Sequence, residues 1–302
     1  MIMKERGVPR ELIILRGLRP RMNFSESEES YYLYKEKGYE GEMNFDKWAV
    51  PLSVSEKMIF LNDVNLNQNN NHFQVDSFGF SSGTLHHFEV KNLEGDYSID
   101  KGKWVSPLGN PVKNPLIQVD KTETLLNQLI NNHSIPLTVK SHLILINPEF
   151  HLYNVPSNLP IVYPAQMNRF RNSLLHNSSK IRNADIRAAE KLLALNIGES
   201  NYSSVPKYRF DELRKGMVCP GCGEFYAEFK RVLCCGFCGG KEYSPDAILR
   251  SVEEFRFLFP DVKVTTKNIF DWCGVIKDER TIQRVLRANL QLIGNKRSSY
   301  YI

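Results

Sequence analysis

Residues 71–91 read NHFQVDSFGFSSGTLHHFEVK. Aromatic and β-branched residues fill both halves, and Ser81-Ser82-Gly83 interrupts them, the pattern of two antiparallel strands joined by a tight turn. With Ser82-Gly83 as a two-residue loop, Ser81 pairs with Thr84 and Asp76 stands across from Glu89. A three-residue loop would instead pair Asp76 with Phe88 and send it to the opposite face. Opposed residues on an antiparallel pair have Cβ atoms about 4.5–5.5 Å apart, and like charges there repel unless a cation lies between them. Alternation puts Lys91 on the face of Glu89, while Phe88 and Val90 turn to a core. One face therefore carries Asp, Glu and Lys.

That constellation suits phosphodiester hydrolysis. Carboxylates are hard oxygen ligands for Mg²⁺, and a neighbouring Lys orients or deprotonates water and stabilises developing charge. A surface hairpin with an incidental Glu-Lys pair beside an Asp would give the same string. His87 also falls on the face of Glu89, where a hydrogen-bonded structural role is the simpler reading.

Asp76 followed by Glu89-Val90-Lys91, with Gln74 ahead, Gly41-Glu42 upstream and Asn114-Pro115-Leu116-x-Gln118 downstream, resembles the nuclease-related domain, a branch of the PD-(D/E)XK nucleases. Val75 stands where the superfamily name has Pro. The resemblance spans residues 38–128 and implies an α/β core, a mixed sheet flanked by helices. It further implies that Glu42 lies on a first helix, that Gln118 opens a later one facing the site, and that both assist catalysis. Asp76 and Glu89, with the Val90 carbonyl, would hold Mg²⁺ or Mn²⁺, and Lys91 would position the attacking water.

The chain has 302 residues, 42% hydrophobic and 24% charged, which excludes global disorder and leaves room for two or three domains. Its formal net charge is +5, and residues 1–21 and 277–302 each carry six Lys/Arg against two Asp/Glu. Basic ends fit nucleic-acid contact, as they fit an ordinary solvated surface. No apolar run approaches a membrane span of about 18 residues, residues 12–15 are too short for a signal segment, and a cytoplasmic protein is expected.

Residues 9–21 suggest a short helix before Pro20. Ser25 caps a helix ending near Gly38, and a second helix carries Glu42 as far as Pro51. Residues 58–66 form a strand, 67–71 a polar loop, and 97–105 a second hairpin that continues the sheet. An amphipathic helix follows Gln118, with Thr122, Leu125, Leu126, Leu129 and Ile130 inward, and residues 142–146 close the domain as a buried strand. Residues 162–198 interleave Arg169, Arg171, Lys180, Arg182, Arg187 and Lys191 with apolar positions, a basic helical connector.

Five of the six cysteines lie between Cys219 and Cys238, which in a reducing compartment points to metal rather than disulfides. Cys219-x-x-Cys222 and Cys235-x-x-Cys238 are two knuckles, twelve residues apart. They suit one structural Zn²⁺ in a closed four-cysteine ribbon that needs no core of its own. Cys234 is the second choice for the third ligand, and Cys273 reads as a buried thiol.

Helices starting at Ser244, Thr265 or Thr266, and Asp278, with a wing through residues 292–302, suggest a winged helix-turn-helix. Arg280, Arg284 and Arg287 would line its exposed recognition face on DNA, although a plain three-helix docking domain has the same pattern. The expected domains are thus 1–37 (basic arm), 38–160 (nuclease-related), 161–214 (connector), 215–240 (zinc ribbon) and 241–302 (helix-turn-helix-like). The function expected is a metal-dependent DNA nuclease. A catalytically idle nucleic-acid-binding or docking protein on the same fold shares every binding feature.

Overall fold

The computed structural model describes residues 1–198, 204–295 and 299–302. Its elements begin with β1 (Ile2–Lys4), α1 (Arg10–Leu18), α2 (Glu26–Val54), β2 (Ile59–Gln68), β3 (Asn71–Ser81) and β4 (Thr84–Lys91). Then come β5 (Gly95–Asp100), β6 (Lys103–Val105), β7 (Pro111–Val112), α3 (Pro115–Asn132), β8 (Thr138–Leu145), β9 (Phe150–Tyr153), β10 (Ile161–Val162), α4 (Met167–Asn177) and α5 (Asn183–Ala194). The remainder is β11 (Val232–Cys234), β12 (Lys241–Tyr243), α6 (Ser244–Leu258), α7 (Thr266–Cys273), α8 (Glu279–Asn289), β13 (Leu292–Ile293) and β14 (Tyr300–Tyr301).

Two compact units emerge, Met1–Val8 with Leu33–Tyr202, and Pro9–Tyr32 with Ser203–Ile302. Residues of the expected arm at 1–37 are divided between the two units. Its first residues form an edge strand of the first unit, because β1 pairs parallel with β2.

The first unit is an α/β layer structure around a mixed sheet in the order β1-β2-β3-β4-β8-β10. Strands β2, β3 and β4 form an antiparallel meander, and β8 runs parallel to β4 in unbroken register from Thr84↔Thr138 to Lys91↔Leu145. Helices α2 and α4 cover one face, where Phe45, Ala49 and Leu52 pack on Phe60, Phe88, Val90 and Ile144. Helices α3 and α5 cover the other, where Leu126, Leu129, Ala189 and Leu192 meet Ile59, Leu61, Phe78 and Phe80. The expected connector thus supplies two core-packed helices to this unit, and its residues 199–203 lie outside the described residues.

Three further expectations are corrected. The two helices expected before and after Gly38 are one helix, α2, running through Gly38, Gly41 and Pro51. Gly41 answers to packing: a Cβ there would lie 2.5 Å from the Asn92 Cβ, so α2 approaches the chain leaving β4 only because the side chain is missing. The polar loop at 67–71 is strand except for Asn69 and Asn70, whose φ of +51° and +61° make the tight turn that Asn tolerates. The 97–105 hairpin forms as expected, with Ile99↔Trp104, but belongs to a separate four-stranded sheet, β7-β6-β5-β9. Its Trp104 and Phe150 pack with Leu143 and Leu145 of β8.

In the second unit the cysteine knuckles and helices α6, α7 and α8 share one core. Cys219, Cys235, Tyr226 and Leu233 are buried with Phe255, Ile269, Trp272 and Leu286. The segment that carries the cysteines is accordingly no coreless module. Thr265 and Asp278 cap α7 and α8 through their side chains, Gly274 at φ +61° ends α7, and a two-stranded hairpin, β13-β14, follows α8.

Candidate metal-dependent hydrolytic site

The β3–β4 turn has the expected register. Ser81 pairs with Thr84, and Ser82 and Gly83 take φ of +51° and +80°, the signs that a two-residue type I′ turn needs. Asp185 of α5 accepts the Gly83 amide at 2.9 Å and fixes the turn from outside the hairpin.

At the other end the alternation breaks. On the α3/α5 side β2 buries Ile59 and Leu61 and then Val64 and Leu66, while β3 buries Phe80 and Phe78 and then Val75. A step of three occurs in each strand, at Asp63, with φ +52°, and at Asp76. The ladder passes from Asn62↔Ser77 to Val64↔Val75, and β3 and β4 part after Ser77↔Phe88. Asp76 is thus freed of strand pairing on both sides. Its carboxylate Oδ2 accepts the Val90 amide at 2.8 Å, between Glu89 and Lys91. A strand residue projects its N–H and C=O toward the same edge, so the Val90 carbonyl shares that gap.

Glu89 is fully buried, with Lys91 Nζ 2.7 Å from its Oε1 and His87 Nε2 3.8 Å from its Oε2. Both Glu89 oxygens are buried, and the partners of the carboxylate are the Lys91 ammonium and the His87 ring. Gln118, in the first turn of α3, accepts from Lys91 Nζ at 3.4 Å. Asn114 caps that helix by accepting the Leu116 amide. Glu42 of α2 is bound to Arg6 at 2.7 Å. The cluster meets solvent through the side chains of Lys91 and Glu42, 24% and 21% exposed. A separate cleft of about 500 Å³, lined by Glu36, Glu40, Asn44, Asn92 and Glu94 among others, includes none of these five residues.

Charge in the cluster is uneven. Burial, then the charges of Glu89 and Glu42, push Asp76 well above the usual carboxylate range. Burial would raise Glu89 too, but His87 and Lys91 outweigh it and hold it below its ordinary value. Burial opposes the Lys91 charge, yet attraction to Glu89 and Asp76 prevails and raises its pKa. Lys91 is therefore a firmly held cation. Glu42 is raised by burial against the pull of Arg6.

Two buried carboxylates, near enough that the Glu89 charge raises the pKa of Asp76, are hard oxygen donors of the kind that suit a divalent ion keeping several of its waters. Among the described residues, the one group of three or more His, Cys, Asp or Glu with ligand atoms mutually within 4.8 Å is Cys219, Cys222, Cys235 and Cys238. Their sulfurs approach to 3.7 Å (Cys219 to Cys238) and 3.4 Å (Cys222 to Cys235). Zn–S bonds of about 2.3 Å give S···S edges of roughly 3.8 Å, so the cluster is compatible with zinc. Cys234 is exposed and outside the cluster.

Residues 37–146 match the family of the nuclease-related domain. The chain carries a nuclease-related domain. No curated protein and no solved structure matches the chain. The matched span of the nuclease-related domain contains Glu42, Asp76, Glu89, Lys91 and Gln118. It omits Arg6, which sequence reasoning missed altogether. A lone Arg in a basic stretch carries no sign that it will be buried, and only the pairing of β1 with β2 brings it to the acids.

Proposed function

We propose that the nuclease-related domain hydrolyses phosphodiester bonds of DNA with a divalent ion, Mg²⁺ or Mn²⁺, held by Asp76, Glu89 and the Val90 carbonyl. The observation that carries this reading is the fully buried Glu89 carboxylate, ion-paired with Lys91, beside an Asp76 that the β3–β4 ladder does not hold. When bound, the ion supplies Lewis acidity at the phosphate and acidifies water. The chain's own groups do the rest. Lys91, kept protonated, orients the water and balances charge that grows on the phosphate, and is no proton acceptor at neutral pH. Gln118 holds the Lys91 ammonium in line, and Glu42 adds negative potential.

The second unit engages the DNA in this reading. The four cysteines hold one structural Zn²⁺, a closed site that suits a reducing, cytoplasmic setting. Arg280, Arg284 and Arg287 are all exposed along α8, as a recognition helix following α7 and a turn would present them. Incubation with linear, circular and single-stranded DNA in Mg²⁺ tests the proposal. Cleavage that needs the ion and fails in Glu89→Gln supports it. Binding without cleavage under every divalent ion would mean an idle nuclease fold.

A further inference from the structure

Arg6 stands where a cation belongs. β1 delivers it: Lys4 Nζ is bound to the carbonyls of Asn62 and Asp63 at 2.7 and 2.6 Å, at the break in the β2–β3 ladder, and Arg6 follows two residues later. Its side chain is buried, 1% exposed. Nε and Nη2 donate to the two Asp46 oxygens at 2.8 and 3.1 Å, Nη1 donates to Glu42 Oε2 at 2.7 Å, and Nη2 donates to the Asp76 carbonyl at 2.8 Å. Two carboxylates and one freed backbone carbonyl thus converge on a single positive group. These are hard oxygen donors of the kind that hold Mg²⁺ or Mn²⁺, but a guanidinium stays charged at any working pH and matches carboxylates through a rigid fork.

We propose that Arg6 is a built-in cation occupying the place of a divalent ion at Glu42 and Asp46, which limits the acid cluster to the ion at Asp76 and Glu89. Arg6 is in this sense a positioning residue. It withdraws Glu42 from metal binding, and it pins the Asp76 backbone where the ladder no longer does. The inference rests on the metal-dependent reading of the site, yet it makes a separate statement, about how many ions the cluster takes.

The test counts bound Mn²⁺ by electron paramagnetic resonance on the full, zinc-loaded chain without nucleic acid. Arg6→Met should bind one ion more than wild type, because Glu42, Asp46 and the Asp76 carbonyl are then open. Arg6→Lys keeps the charge and should bind the wild-type number, and adding Glu42→Gln to Arg6→Met should remove the extra ion. Equal counts in wild type and Arg6→Met overturn the proposal. Should Arg6→Met not fold, Arg6→Gln takes its place: the neutral amide can still donate to the Asp76 carbonyl, one ion more than wild type is again expected, and an equal count overturns the proposal. Failure of the nuclease reading looks different, since wild type and Glu89→Gln would then bind Mn²⁺ alike whatever Arg6→Met does.

Discussion

The Asp76 carboxylate accepts the Val90 amide at 2.8 Å, one residue beyond the last ladder pair of β3 and β4. The side chain substitutes for a strand partner at the point where the strands part, so its role in the fold needs an acceptor oxygen and no charge. Asp76→Asn keeps the oxygen. Because burial beside Glu89 and Glu42 disfavours the Asp76 anion, the Asn variant should be more stable than wild type at neutral pH without added divalent ions, by on the order of 1–2 kcal/mol. The sign follows from the raised pKa: wild type loses stability as pH rises above the ordinary carboxylate range, and the variant does not. Thermal melts with and without Mg²⁺ check both halves, since the ion should stabilise wild type alone.

The second pH effect has the opposite sense. His86 Nδ1 and His142 Nε2 are 3.1 Å apart. Burial, then the Lys140 charge, lowers His86 to about 4, while burial and the neighbouring His86, His87 and Lys140 lower His142 to about 3. Both are neutral in the fold and take up protons near pH 6.5 once unfolded, so stability is present above about 6.5 and is lost as pH falls toward 4. Each should cost roughly 2 kcal/mol between pH 6.5 and 5. Urea unfolding of wild type and the His86→Gln, His142→Gln double variant at pH 7.5 and 5 measures the difference, and an equal loss in both would remove the pair as its cause.

Zinc should matter to the second unit as a whole, because Cys219 and Cys235 are buried in the same core as Trp272 and Leu286. Cys222→Ser should lose the metal and several kcal/mol of that unit's stability. Cys234→Ser should keep a full complement, its thiol being exposed and outside the cluster. Elemental analysis of the two variants distinguishes them, and loss of zinc from Cys234→Ser would reassign the ligand set.

Replacing Arg280, Arg284 and Arg287 together by Ala should weaken DNA binding and reduce the salt slope by up to about three units, one for each phosphate that an arginine no longer neutralises. All three are exposed, so folding should be unaffected. An unchanged slope would leave α8 out of the interface.

Much of the site was legible because its residues are local to one hairpin. Ser82-Gly83 sets the register, and the caps at Thr265 and Asp278 are visible as residue types. What escaped depends on contacts distant in sequence. Gly38 and Pro51 read as helix ends, yet α2 continues because its face is buried against Phe60 and Phe88 and because Gly41 lets it lie close to Asn92. Strict alternation places Asp76 and Glu89 opposite each other on the sheet, whereas the step of three at Asp63 and Asp76 turns the Asp76 carboxylate to the backbone of β4. Arg6 and the core shared by the cysteine knuckles and α6, α7 and α8 had no local signal at all.

Cleavage by Lys91→Ala, measured beside DNA affinity under the same Mg²⁺ and salt, tests the proposed chemistry most directly. Lys91 contacts Glu89 and Gln118 inside the site, whereas affinity should rest on many phosphate contacts elsewhere. The account predicts that wild type cleaves, that Lys91→Ala loses at least a hundredfold in rate, and that its affinity stays within about threefold of wild type. Cleavage retained by Lys91→Ala at the wild-type rate would contradict the role given to the lysine and the assignment of the acid cluster as the hydrolytic site.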